Sequence, residues 1–281
     1  MPDAFDHCET LVRAADKDRF LATLFAPERH RRPLFALYAF NTEIVRVREI
    51  AREPMPGEVR LQWWRDVLTG IGGAEGSPVA VALHATILRY RLPAHALADL
   101  IEARSFDLYD DPMGSLAELE AYAGKTSSAV MALAARILNN GSEPGVDALA
   151  RHAGIAYAIT GLIDAFPVHA RRRQLYVPLE LLQRHGARAE DAFAGVATPA
   201  LCAALVELRA AALRHLSQAG AHISGLPAAL VPAVLPVALV QPTLRRMEHR
   251  GHDPFALRPL PQWRRQWLLW RAARNVRRIV G

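Results

Sequence analysis

Residues 20–49 read FLATLFAPERHRRPLFALYAFNTEIVRVRE, and their periodicity decides the fold class. From Pro33 onward Leu34, Leu37, Tyr38, Ile44 and Val45 recur at steps of three and four, the signature of one helix face. Pro33 suits a first helical turn, and Pro54 with Pro56-Gly57 closes the segment, so a helix is predicted over 33–51. The same period predicts helices over 58–68, 79–90, 94–109, 115–123, 126–139 and 147–164. Shorter helices follow Tyr176-Val177-Pro178, and long ones are expected at 199–221, 227–249 and 261–279. Alternating strand patterns and internal repeats do not emerge, and abundant alanine favours helices. The glycine-rich loop at 69–78 is too short for a linker, so residues 1–281 read as one all-α domain.

Composition agrees with a folded globular chain: 51% of the 281 residues are hydrophobic and 22% charged, and mean hydropathy is +0.05. The formal charge of +6 is concentrated beyond Pro261, where six arginines (264, 265, 271, 274, 277 and 278) meet no acid. The rest is formally neutral, which argues against a dispersed nucleic-acid footprint, and none is expected as a partner. Cys8 and Cys202 form neither a metal-binding pair spacing nor a disulfide framework, and read as small apolar residues in a reducing cytoplasm. The N-terminus, MPDAFDHCET, lacks the layout of a signal peptide. Between Arg214 and Arg245 the chain carries no formal charge, but Pro227, Pro232, Pro236 and Pro242 interrupt it. A buried core helix is the expected reading there.

With Tyr38-Ala39-Phe40-Asn41 in place, the Phe20–Glu49 segment resembles the opening of squalene/phytoene synthases. The resemblance continues through Asp107, Tyr122 and its following helix, Gly154–Pro178 and Leu226–Phe255. It implies an isoprenoid-synthase-like helical bundle around a central cavity, in which two Asp-rich motifs on facing helices hold magnesium against a prenyl diphosphate. Hard cations on oxygen ligands neutralise such a leaving group. This chain departs from that pattern. The first motif falls on Val45, Arg46 and Glu49, and only Glu49 keeps a carboxylate. The second falls on Ala158, Gly161, Ala165 and His169, a stripe that is small and apolar until its last member. Neutral histidine is a poor magnesium ligand, so no adequate metal site is expected and magnesium belongs only to an enzymatic alternative.

Arg60-Leu61-Gln62-Trp63-Trp64-Arg65, Ala165-Phe166-Pro167-Val168-His169 and Arg171-Arg172-Arg173 resemble more narrowly the branch that contains the mitochondrial complex I assembly factor. That branch shares the synthase fold and lacks the Asp-rich motifs. The resemblance implies a non-catalytic relative that assists assembly of complex I, with a complex I subunit or assembly intermediate as partner. A prenyl or lipid phosphate is the expected cavity ligand. The alternative is an active prenyl-diphosphate transferase; a lipid carrier with another partner is a third reading.

The candidate ligand-binding residues are therefore Tyr38, Asn41, Val45, Arg46, Glu49, Asp107, Ala158, Gly161, Ala165, His169, Arg171 and Tyr176, with no catalytic residue assigned. Plainer readings stand beside several of them. Asp107, Asp110 and Asp111 precede Pro112 and fit a solvated helix end better than a metal site. Arg46 and Arg48 either pair with Glu43 and Glu49 or bind phosphate oxygens directly. Asp164 points about 100° away from Ala165 and is expected to pair with the arginines of 171–173. His169 reads otherwise as a capping or surface residue. In the last helix Trp263, Trp267 and Trp270 form a stripe, most simply the face by which the helix docks on its own domain. The competing reading gives residues 261–279 a peripheral contact with the inner membrane.

Overall fold

The computed structural model describes residues 3–51, 53–249 and 251–281, and all regular structure among them is helical. The chain runs through α1 (Ala4–Ala15), α2 (Lys17–Thr23), α3 (Glu28–Ile50), α4 (Pro54–Thr69), α5 (Pro78–Tyr90), α6 (Ala94–Ser105), α7 (Leu116–Ala123) and α8 (Ala129–Leu138). It continues through α9 (Asp147–Asp164), α10 (Phe166–Arg171), α11 (Leu179–His185), α12 (Ala189–Phe193), α13 (Pro199–Ile223), α14 (Val231–Val234), α15 (Val240–Arg246) and α16 (Gln262–Arg274). Side-chain oxygens of Asp3, Asp16, Ser77, Ser115 and Thr198 accept free N–H groups at five helix starts.

Prolines were the least reliable boundary signal, for a local reason in each case. α3 starts at Glu28, so Pro33 lies inside it rather than in its first turn. The missing donor frees the Arg29 carbonyl, and the Tyr90 hydroxyl donates to it at 3.5 Å. α4 starts at Pro54 rather than at Glu58, because Pro54 and Pro56 occupy a first turn that needs no N–H. Between Ala228 and Arg246, prolines 232, 236 and 242 divide the predicted long helix into alternating 3-10 and α turns. That stretch is long and apolar enough to cross a membrane, yet 72% of its most apolar window is buried within the protein.

α3 and α9 organise the core. Leu34, Phe35, Leu37 and Phe40 are fully buried along α3, and the Phe40 ring meets Trp64 of α4 edge-on at 5.0 Å. α9 packs along α13, where His152 and His215 share a contact of 3.0 Å between Nδ1 atoms, and His215 reaches Glu120 of α7 at 3.1 Å. On another side α9 meets a π-helical turn, Gly124–Ser128. A Cβ built on Gly154 would lie 2.4 Å from the Ser128 Cα, so glycine sets that approach. At Gly161, two turns on, a Cβ would meet nothing within 4 Å.

α16 corrects the expected docking mode of the last helix. It docks through buried Leu269 and Ala272 and through an ion pair from Arg265 to Asp18 of α2. The three tryptophans face outward instead, with Trp263 70%, Trp267 46% and Trp270 45% exposed.

Gly154→Ala is expected to destabilise the protein by about 1–3 kcal/mol, because backbone rather than a flexible side chain must move. Gly161→Ala is expected to be neutral or to stabilise by up to about 1 kcal/mol through helix propensity. Urea denaturation of both variants checks the pair; equal midpoints would contradict the packing described.

Candidate functional site

The C-terminal half of α3 and the C-terminal half of α9 face one another across a cavity of about 630 Å³. Asn41, Val45, Arg48 and Glu49 follow the helical period along one face of α3, and Tyr157, Ala158, Gly161 and Ala165 do so along α9. The short α10 adds His169, and the segment between it and α11 adds Arg172, Gln174 and Tyr176. Asp16 and Arg19 come from the start of α2, and Asp107 from a 3-10 turn after α6.

Asp107 is the most heavily bonded group in this wall. Tyr122 donates to its two oxygens at 2.8 and 3.0 Å, Tyr176 donates at 2.7 Å, and Arg104 donates at 3.0 Å. Gln174 donates to the Asp107 backbone carbonyl at 2.9 Å. Burial, with the carboxylate close by, pushes the Tyr122 and Tyr176 hydroxyls well above the usual phenol range, so both remain donors. The His169 ring lies 4.8 Å from Tyr176, and burial pushes its pKa down to about 4. It is neutral near pH 7.

Among the described residues five arginines line the cavity (19, 46, 48, 104 and 172) against three acids (16, 49 and 107), a formal charge of +2. Arg19 is buried between the rings of Tyr38 and Tyr157 and pairs with Asp16 at 2.7 Å. Arg48 pairs with Asp110 at 2.8 Å, and Arg172 with Glu49 at 3.3 Å. The Nε atoms of Arg48 and Arg104 and the Nδ1 of His169 are buried without a hydrogen-bond partner. Such unpaired groups favour a polar or anionic guest.

The donor set does not suit magnesium. Glu49 is the sole carboxylate at the two motif positions and is engaged by Arg172 and, at 3.9 Å, by Arg46. The oxygens of Asp107 and Asp16 are taken by donors of the chain itself. Among the described residues no three His, Cys, Asp or Glu side chains converge to hold a metal.

Of the residues singled out in the sequence, Asn41, Val45, Arg46, Glu49, Asp107, Ala158, Gly161, Ala165, His169 and Tyr176 line the cavity. Tyr38 and Arg171 do not. Tyr38 is buried behind Arg19, and Arg171 is exposed off the cavity, whereas its equally exposed neighbour Arg172 reaches the cavity mouth and pairs with Glu49. Three plainer expectations also change. Asp107 is buried rather than solvated, although Asp110 and Asp111 are exposed. Asp164 pairs with Arg246 of α15 at 2.6 Å, not with residues 171–173. His169 stands in the cavity wall rather than at the surface. Glu43 pairs with Arg60, leaving Arg46 to a long contact with Glu49. Arg19, Arg104 and Gln174 were missed, and of the run Arg171-Arg172-Arg173, readable either as a solvated charge run or as phosphate binders, Arg172 is the member that lines the cavity. The i, i+3 spacings Asp16–Arg19 and Arg104–Asp107 were the available signal, but such pairs are common on exposed helices.

A family model described as squalene/phytoene synthase matches residues 12–271. NADH dehydrogenase (ubiquinone) complex I, assembly factor 6, of Rattus norvegicus is 29% identical over 257 residues, covering 91% of this chain and 77% of that protein. The phytoene synthase of Thermus thermophilus is 26% identical over 265 residues, covering 93% and 90%. Among solved structures, a squalene synthase from Alicyclobacillus acidocaldarius superposes with a TM-score of 0.77 at 21% identity, covering 90% of this chain and 95% of that one. A dehydrosqualene synthase in complex with ligand reaches 0.80 at 15% identity, covering 97% and 96%. Both establish the all-α isoprenoid-synthase fold.

The pKa of His169 gives a pH test. The folded state keeps it neutral down to about pH 4, whereas an unfolded histidine protonates near 6.5. Between these values the unfolded chain binds more protons, so stability falls as pH drops, by up to about 3 kcal/mol from this group. His169→Gln should flatten that acid slope in urea midpoints measured from pH 7 to pH 4. An unchanged slope would place the titrating group elsewhere.

Proposed function

The chain belongs to the squalene/phytoene synthase family, and from that premise we infer that it assists the assembly of respiratory complex I, holding a prenyl or lipid phosphate in its cavity without magnesium. One observation carries the reading: an open cavity of about 630 Å³ whose motif positions present Val45, Arg46, Ala165 and His169 where a metal-dependent transferase needs carboxylates. Without those ligands a diphosphate leaving group loses its main electrostatic support. The same wall carries arginines suited to an anionic headgroup, and the small stripe of Ala158, Gly161 and Ala165 leaves room for an apolar chain. The likeness to complex I assembly factor 6 over most of the chain supplies the assembly role. Cys8 is buried with its thiol pushed up to about 12, and Cys202 is a free, half-buried thiol; both suit a reducing cytoplasm.

The competing reading, an active prenyl-diphosphate transferase, draws on the likeness to phytoene synthase. Radiolabelled farnesyl or geranylgeranyl diphosphate with magnesium should give no condensation product; turnover abolished by Glu49→Ala would establish the enzyme instead. Deleting the gene in its host should lower assembled complex I and NADH-dependent respiration. The wild-type gene should restore both, and a folded Gly161→Leu/Ala165→Leu variant should not. Normal complex I in the deletion strain would remove the assembly role. Full rescue by the filled-cavity variant would remove the ligand from it.

A further inference from the structure

The outward face of α16 combines three features. Trp263, Trp267 and Trp270 lie on successive turns and are 70%, 46% and 45% exposed. The Arg271 guanidinium stacks on Trp267 at 4.2 Å, and Arg274 stacks on Trp270 at 4.0 Å. Beside the stripe, a groove between α15 and α16 has chambers of about 290 and 160 Å³ that share Pro242, Arg245, Leu268 and Arg271. Arg264 and Arg278 add unpaired charge and Arg246, paired with Asp164, lines one chamber too; among the described residues no acidic side chain lines either. Arg245, Arg264, Arg271, Arg274, Arg277 and Arg278 have no carboxylate within 4.0 Å among the described residues, although most other arginines of the fold are paired.

From this face we propose that the protein docks on a bilayer containing anionic phospholipid, with the three indoles in the interface and the groove arginines on lipid phosphates. The helix is held for the purpose. Leu269, Ala272 and the Arg265–Asp18 pair fix it to the core, so the exposed tryptophans are not a helix awaiting its own domain. Indole suits the boundary between headgroup and acyl chain, where its apolar body and N–H are both satisfied. Guanidinium stacked on indole keeps its charge while covering ring surface, a combination that binds a phosphate plane from below. A nucleic acid would use the same charge, but it would not need three indoles on one outward ridge. The proposal is independent of what fills the cavity.

Flotation of the full chain with phosphatidylcholine vesicles, with and without phosphatidylglycerol, tests it. Binding is expected only with phosphatidylglycerol, and it should weaken as sodium chloride is raised. Brominated lipid should quench tryptophan fluorescence in the bound protein, since the indoles enter the interface. Arg264→Gln, Arg271→Gln and Arg274→Gln should each lower partitioning about fivefold. The triple variant Trp263→Ser/Trp267→Ser/Trp270→Ser should abolish quenching while keeping a native circular dichroism spectrum, because these side chains are exposed. Absence of flotation at every salt concentration overturns the proposal. So does salt-sensitive binding that the triple tryptophan variant retains in full and that duplex DNA reproduces, which would make the face a general polyanion patch.

Discussion

A buried carboxylate, Asp107, holds the cavity end of the bundle together. Its 3-10 turn ends α6, its side chain receives Tyr122 from α7 and Tyr176 from the approach to α11, and its carbonyl receives Gln174. Segments separated by 15 to 69 residues are thereby joined at one group. A buried charge is tolerable only when its hydrogen-bonding capacity is filled, and Arg104 with the two phenols fills it. The consequence is twofold. The wall of the cavity is rigid on this side, and Asp107 has no capacity left for a metal.

Electrostatics in the cavity therefore come from the chain. Guanidinium stays charged in proteins, and the attraction of two opposite charges about 4 Å apart, about 4 kcal/mol at an effective dielectric near 20, offsets the burial of Arg19 and Arg104, each beside a carboxylate and two phenols. Arg46 and Arg172 lie nearer the mouth, and their pairing with Glu49 is loose, at 3.9 and 3.3 Å. An incoming anion would compete with one half-exposed glutamate there, not with a buried network.

Much of this was legible in the sequence because helical periodicity is a local property. The Leu34–Val45 pattern located α3, and the four-residue spacing of Ala158, Gly161 and Ala165 located the opposite wall. What escaped depends on contacts between distant segments. Pro33 lies within a helix, where Tyr90, 61 residues from Arg29, reaches the carbonyl it frees. Asp107 is buried because Tyr122 and Tyr176 converge on it, whereas Asp110 and Asp111, three and four residues later, are exposed. Arg172 rather than Arg171 reaches the cavity mouth, where it pairs with Glu49 of α3, a residue 123 positions away in sequence. The tryptophan stripe was visible, but its direction depended on whether Leu269 or the indoles met the core.

The stripe along α9 has a locked end and an open end. Gly154 is confined by the Ser128 backbone, so the position of the helix is set there, whereas Gly161 faces open space with no neighbour to displace. Architecture and chemistry are thus written at different positions of one helix. A side chain added at 161 enters the cavity's open space and alters what it accepts without displacing the framework.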